Sequence, residues 1–305
     1  MRKPGCLVLF IIAIVLIISG LLIGPLAKSF IGEGVPEFIQ VQQPHIELKP
    51  ETIIHAGILP VTNTLLAALL TTVTLLLIFG LAARKMSIVP RGLQNLVEMI
   101  VEGLLSFAEG VAGKENGRRF FPLFATIFLF VIANAWLSLV PLFGAIGVEE
   151  HGTVLALFRG ANTDINVPAA LAIMSFIFVE YWGIRSVGFF PYMSKFVRIS
   201  YFLPKNFKGI KSLGMNLVMG IIDLFVGAIE LLSELIRLVS FTFRLFGNMT
   251  AGEILLLVSM FLIPWVFSDL FYGLELLVGL IQALIFGGLT LVFATMAVTP
   301  HGEEH

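Results

Sequence analysis

Charge is what this sequence has least of. Asp, Glu, Lys and Arg make up 13% of its 305 residues, against about 25% in soluble domains. Cysteine is nearly absent as well. The single Cys6 excludes an intramolecular disulfide and leaves no thiolate cluster for a metal. The five histidines (His45, His55, His151, His301 and His305) are scattered without metal-ligand spacing. No phosphate-cradling Gly-Lys-Ser/Thr loop, nucleophile elbow or zinc motif occurs, and neither does an internal repeat or a low-complexity tract. A net charge of −1 with no basic cluster argues against a nucleic-acid partner. Nothing here suggests a soluble catalytic centre, and no cofactor or metal is expected.

Apolar residues fill the space instead. They form 58% of the chain, and the mean hydropathy is +0.99, which describes an all-α integral membrane protein. A hydrocarbon core about 30 Å thick needs roughly 20 apolar helical residues. Candidate spans are Pro4 to Ala27, Ala56 to Ala83, Phe120 to Val148, Val167 to about Trp182 (with Glu180 near its end) and Leu270 to Val298. The stretch from Gly214 to Ile263 is too long for one simple crossing and holds most of the buried charge. Pro90 to Ala112 is different. Its leucines, valines and isoleucines recur at helical spacing with Glu98, Glu102 and Glu109 between them, as in an amphipathic helix at the cytoplasmic surface. The expected architecture is five core membrane helices, two of them long and near the C-terminus, an extra N-terminal hydrophobic helix and this surface helix.

Basic residues set the orientation. Fourteen fall before the first span and in alternate loops, while the opposite loops hold only Lys28, Lys49 and Arg159. By the positive-inside rule the fourteen are cytoplasmic, and so is the tail 301–305. Residues 1–30 read as a retained anchor, with a cleaved signal peptide as the alternative: the Met-Arg-Lys start fits one, but no clear Ala-x-Ala site follows. Residues 31–55 then form an extracytoplasmic segment, and 56–300 the membrane domain.

Arg237 and Arg244 remain, both inside a span. An arginine at bilayer depth costs several kcal/mol, roughly 3 on insertion scales. On a helix of about 100° per residue, Glu230, Ser233, Arg237, Ser240 and Asn248 fall within roughly 60° of Arg244, with Asp223 at the margin and Glu234 just beyond. Such a stripe faces protein or water rather than lipid. Glu253 points the opposite way, so another helix should approach it. The last helix offers Glu275, Gly279 and Gln282 on one face.

The run Arg244-Leu-Phe-Gly-Asn-Met-Thr-Ala-Gly-Glu253 resembles the signature of the a subunit of F-type ATP synthase. Glu230 fourteen residues before the arginine, Gln282, Asn134, and Asp164 with Asn166 also resemble family positions, covering about Glu47 to the C-terminus. Glu275 stands where some bacterial members carry histidine, so the resemblance does not choose between Glu253 and Glu275. The resemblance implies a non-catalytic stator subunit in a bacterial plasma membrane, beside a rotating ring of c subunits, with a b-subunit stalk and the remaining ATP synthase subunits as partners. It implies two offset half-channels for protons, with the long Gly214 to Ile263 segment inclined along the ring. The outer one is assigned Glu253, Glu275, Asn248 and Gln282, with Asp164 near its mouth, and the inner one Glu230, Ser233 and Asp223. Arg244 is then the coupling residue that pairs with each arriving ring carboxylate. A secondary transporter or stand-alone channel is the competing class, but it would be expected to show repeats and broken helices.

Overall fold

The computed structural model describes residues 14–16, 18–19, 48–56, 59–84, 86–140, 143, 146–150, 153–196, 210–263 and 266–299. Most of the N-terminal candidate span, much of the second basic loop and the tail 301–305 lie outside these residues. Described elements, in chain order, are β1 (Thr52–Ala56), β2 (Leu59–Thr62), α1 (Asn63–Ala83), α2 (Leu93–Ser138), β3 (Gly147–Glu150) and β4 (Thr153–Ala156). A short 3-10 turn (Ala161–Thr163) leads into α3 (Asn166–Val187), α4 (Phe189–Met193), α5 (Ile210–Leu262) and α6 (Val266–Val298). Four helices, α1, α2, α3 and α6, contain stretches long and apolar enough to cross a membrane. The fifth, α5, runs for 53 residues, more than twice the roughly 20 of a perpendicular crossing.

Two antiparallel hairpins, β1–β2 and β3–β4, depart from the expectation of helices alone. They take over the start of the Ala56 to Ala83 run and the end of the Phe120 to Val148 run. Hydropathy alone does not separate an apolar strand from helix here. At the first junction Thr62 supplies the cap: its Oγ1 accepts the Leu65 N–H at 3.2 Å, satisfying a donor that the first helical turn leaves open.

The amphipathic stretch and the following span are merged in α2 across a kink at Gly113, whose φ of 78° suits glycine. Pro122 sits beyond it, inside the helix.

The chain forms two compact units, each assembled from three stretches. Unit 1 comprises residues 1–77, 129–164 and 245–283. Within it, α6 and α2 approach closely: a Cβ on Gly279 would lie 2.9 Å from the Ala135 Cβ, and the Trp136 indole donates to the Leu276 carbonyl at 3.1 Å. Unit 2 comprises residues 78–128, 165–244 and 284–305. Its core is aromatic. Phe120 meets Phe178 and Trp182 edge-on at 5.8 Å, and Phe241 packs on Phe286 and Phe293 at 5.2 and 5.9 Å. The buried Ser175 and Thr290 hydroxyls pair at 2.7 Å, the polar link that membrane helices use where apolar association alone offers little drive.

Close approach at Gly279 makes a packing prediction. Gly279→Val is expected to destabilise unit 1 by about 1–3 kcal/mol, the usual effect of overpacking. Gly273→Val, on the same helix with nothing within 4 Å, should be nearly neutral. Thermal unfolding of the two variants in detergent checks the contrast.

Candidate functional site

In unit 1 the ionisable groups gather around a cavity of about 580 Å³. Glu253 and Glu275 both line it, together with Asn134, Arg159, Asn162 and Tyr272. Glu275 is 8% exposed, and its carboxylate occupies the space where a side chain on Gly252 would stand. Glycine at 252 therefore lets the Glu275 carboxylate lie against α5 beside Glu253. Glu253 itself is held from a third direction. Arg159 Nε donates to its two oxygens at 3.0 and 3.1 Å, and Arg159 Nη2 donates to Oε2 at 2.9 Å. That planar fork on a carboxylate is the arrangement for which arginine is suited.

Polar side chains frame the cavity. Asn134 donates to Thr71 Oγ1 at 3.0 Å and accepts the Asn162 backbone N–H at 3.1 Å. Asn162 in turn donates to the Val131 carbonyl at 3.1 Å. Next to it, the buried Asp164 accepts from Thr64 Oγ1 at 2.8 Å. Gln282 is buried farther along α6, while Asn248 is exposed on α5. Neither Gln282, Asn248 nor Asp164 lines the cavity.

A second cluster lies wholly within unit 2. Lys195 reaches Glu230 at 2.8 Å and Glu234 at 3.0 Å. Arg237 bonds the other Glu234 oxygen at 2.8 Å while its guanidinium covers the Phe293 ring at 3.7 Å. The Tyr192 hydroxyl and the Glu180 carboxyl share a hydrogen bond. Burial works against the Lys195 ammonium, but its hydrogen bonds to Glu230 and Glu234 prevail and raise its pKa above the ordinary lysine value. Ser233 and Asp223 have no bond to this network among the described residues.

The stripe expected on α5 thus divides. Glu230, Glu234 and Arg237 are engaged within unit 2, whereas Ser233, Arg244 and Asn248 are exposed. Arg244 makes no ion pair among the described residues, and its neighbours Phe241 and Leu245 are buried at 5% and 1% exposure.

Spacing along single helices did not reveal Arg159, Glu180, Tyr192 or Lys195, because each meets its partner across the fold. Arg159 and Lys195 contributed to the orientation argument only as loop charges. For Glu180 the signal was present: a carboxylate near the end of an apolar span.

Long apolar helices with ionisable side chains turned inward define an integral membrane protein. Residues 65–295 match the family model described as ATP synthase A chain. Among curated relatives, ATP synthase subunit a of Helicobacter acinonychis is 32% identical over 75% of this chain and 86% of its own length. The subunit a of Campylobacter fetus is 31% identical over 80% of this chain and 92% of its own length. The chain belongs to the ATP synthase A chain family, a non-catalytic subunit of the membrane sector that works in proton translocation.

The Arg159–Glu253 pair is testable without any transport assay. Arg159→Ala leaves a half-buried carboxylate uncompensated and is expected to cost about 2 kcal/mol, below the range for fully buried pairs because both groups keep some solvent. Arg159→Ala combined with Glu253→Gln should recover at least half of the loss. A double-mutant cycle on thermal unfolding in detergent provides the measurement.

Proposed function

We propose that this chain is the stator subunit that passes protons to and from a rotating ring of c subunits through two separate half-channels, coupling proton-motive force to ATP synthesis. One observation carries the reading: Arg244 stands exposed on an apolar helix, without an ion pair among the described residues. A guanidinium facing lipid would cost several kcal/mol. A partner that brings a carboxylate to this face removes that cost.

The chemistry follows from the residue type. Arginine stays protonated, so it attracts a carboxylate but passes no proton onward. Its charge stabilises the ionised form of a carboxylate brought opposite, so the proton leaves that carboxylate before it moves on. Glu253 and Glu275 beside the unit 1 cavity, with Asn248, Gln282 and Asp164, would serve the outer half-channel. Glu230, Ser233 and Asp223 would serve the inner one. Each proton crossing 100 mV contributes about 2.3 kcal/mol, so several protons per turn are required to drive ATP synthesis. The excess of basic residues in alternate loops supports a C-terminus on the cytoplasmic side of a bacterial plasma membrane, with the b-subunit stalk as a further partner.

Arg244→Ala is expected to reduce ATP-driven acidification of inverted vesicles by roughly tenfold or more while the complex still assembles, because a carboxylate brought opposite then has no cation to favour its ionised form. Arg244→Lys should also be impaired, because lysine lacks the planar fork and its amine deprotonates when buried. Acidification at the wild-type rate in Arg244→Ala would reduce Arg244 to a structural charge and overturn the reading.

A further inference from the structure

Among the described residues, the unit 2 cluster sets the carboxylates Glu180, Glu230 and Glu234 against the cations Lys195 and Arg237. Lys195 and Arg237 compensate Glu230 and Glu234 through contacts of 2.8–3.0 Å. The third carboxylate, Glu180, makes no ion pair among the described residues. It shares a hydrogen bond with Tyr192, and its buried Oε1 has no hydrogen-bond partner among the described residues. Buried polar atoms normally find a donor or acceptor, so this oxygen marks a position that a proton or a water molecule must fill. An ionisable group within an apolar span is, in addition, a functional candidate in its own right.

The local backbone is shaped to hold this group in place. Gly183, three residues after Glu180, leaves the room that the Tyr192 ring fills. Gly227 on α5 leaves room for the Phe196 carbonyl. The segment carrying Tyr192, Lys195 and Phe196 is therefore seated against both α3 and α5. Its tyrosine addresses Glu180, and its lysine addresses Glu230 and Glu234.

We infer that Glu180 is a further proton-exchanging group on the path through unit 2, positioned by Tyr192 and adjoining the Lys195–Glu230–Glu234 cluster. Lys195 and Arg237 hold Glu230 and Glu234 in ion pairs, which leaves Glu180 as the carboxylate of the cluster without an ion pair among the described residues. Transfer is a simple exchange: an O–H bond forms at the Glu180 carboxylate as one breaks on a hydronium ion on one side, leaving water, and the acid then gives its proton to a water on the other side, with no change of oxidation state. Tyr192 is a positioning residue here, orienting the carboxyl through its hydroxyl. This inference rests on the proton-translocating reading above and adds a residue to it.

The experiment uses inverted vesicles carrying the whole complex, with ATP-driven proton uptake normalised to assembled subunit. Glu180→Gln keeps the shape and the hydrogen bond to Tyr192 but cannot exchange the proton. Its uptake is expected to fall roughly tenfold or more. Glu180→Asp, which retains an acid at this place, should keep at least half of the wild-type rate, and Tyr192→Phe, which removes the positioning hydroxyl but keeps the acid, should fall between Glu180→Asp and Glu180→Gln. Wild-type uptake in Glu180→Gln overturns the assignment. So does an equal loss in Glu180→Asp, which would make shape the cause. If Glu180→Gln does not assemble, Glu180→Cys in a Cys6→Ser background decides. A small methanethiosulfonate reagent added to the cytoplasmic face should modify that thiol, and an unmodified thiol overturns the assignment. Arg244→Ala in the same vesicles separates the two claims: loss there with full uptake in Glu180→Gln removes only the role of Glu180, whereas full uptake in Arg244→Ala removes the reading beneath it.

Discussion

A charge inside hydrocarbon must meet an opposite charge, water or another protein, and the placement of Glu230, Glu234, Arg237 and Glu253 on α5 follows from that requirement. Glu253 receives the fork of Arg159. Glu230 and Glu234 share Lys195, and Glu234 also takes Arg237. Arg237 spreads its remaining face over Phe293, a cation–π contact that strengthens as water is withdrawn. Against this background of satisfied charge, Arg244 stands apart. On the reading proposed above, the same physics gives Arg244 its meaning: a partner from outside the chain meets the exposed guanidinium among phenylalanines and leucines.

Glycine makes these meetings possible. The Glu275 carboxylate lies against α5 because residue 252 has no side chain. Tyr192 reaches α3 because residue 183 has none, and the Phe196 carbonyl reaches α5 at Gly227 for the same reason. Membrane helices associate chiefly through close backbone approach and a few polar bonds. In this chain those approaches also set where the carboxylates sit. A larger residue at such a place would act on the chemistry through position rather than through charge.

The two clusters have different characters. That of unit 1 borders a cavity lined by asparagines, Arg159 and the glutamates Glu51, Glu253 and Glu275, a setting able to hold water. That of unit 2 is a compact set of ion pairs with one carboxylate outside the pairing. Arginine and lysine fix charge in both, while carboxylates are the groups able to take up and release protons. A path that moves protons without leaking needs both kinds of group, and neither kind alone suffices.

Much was legible from the residues in order. Scarcity of charge and long apolar runs determined a helical membrane protein, because a chain so rich in apolar side chains and so poor in charge suits lipid. The run from Arg244 to Glu253 identified the family through one contiguous segment. Helical spacing placed Glu275 and Gln282 on one face of α6, since that periodicity is local. Tertiary structure alone decided the rest. The two hairpins consumed the ends of apolar runs that hydropathy reads as helix, and α2 bends at Gly113. Arg159 meets Glu253 across 94 residues of chain, and Lys195 meets Glu234 across 39. Local spacing carries no record of such distances: which charge neutralises which is settled only when the helices pack and water is excluded.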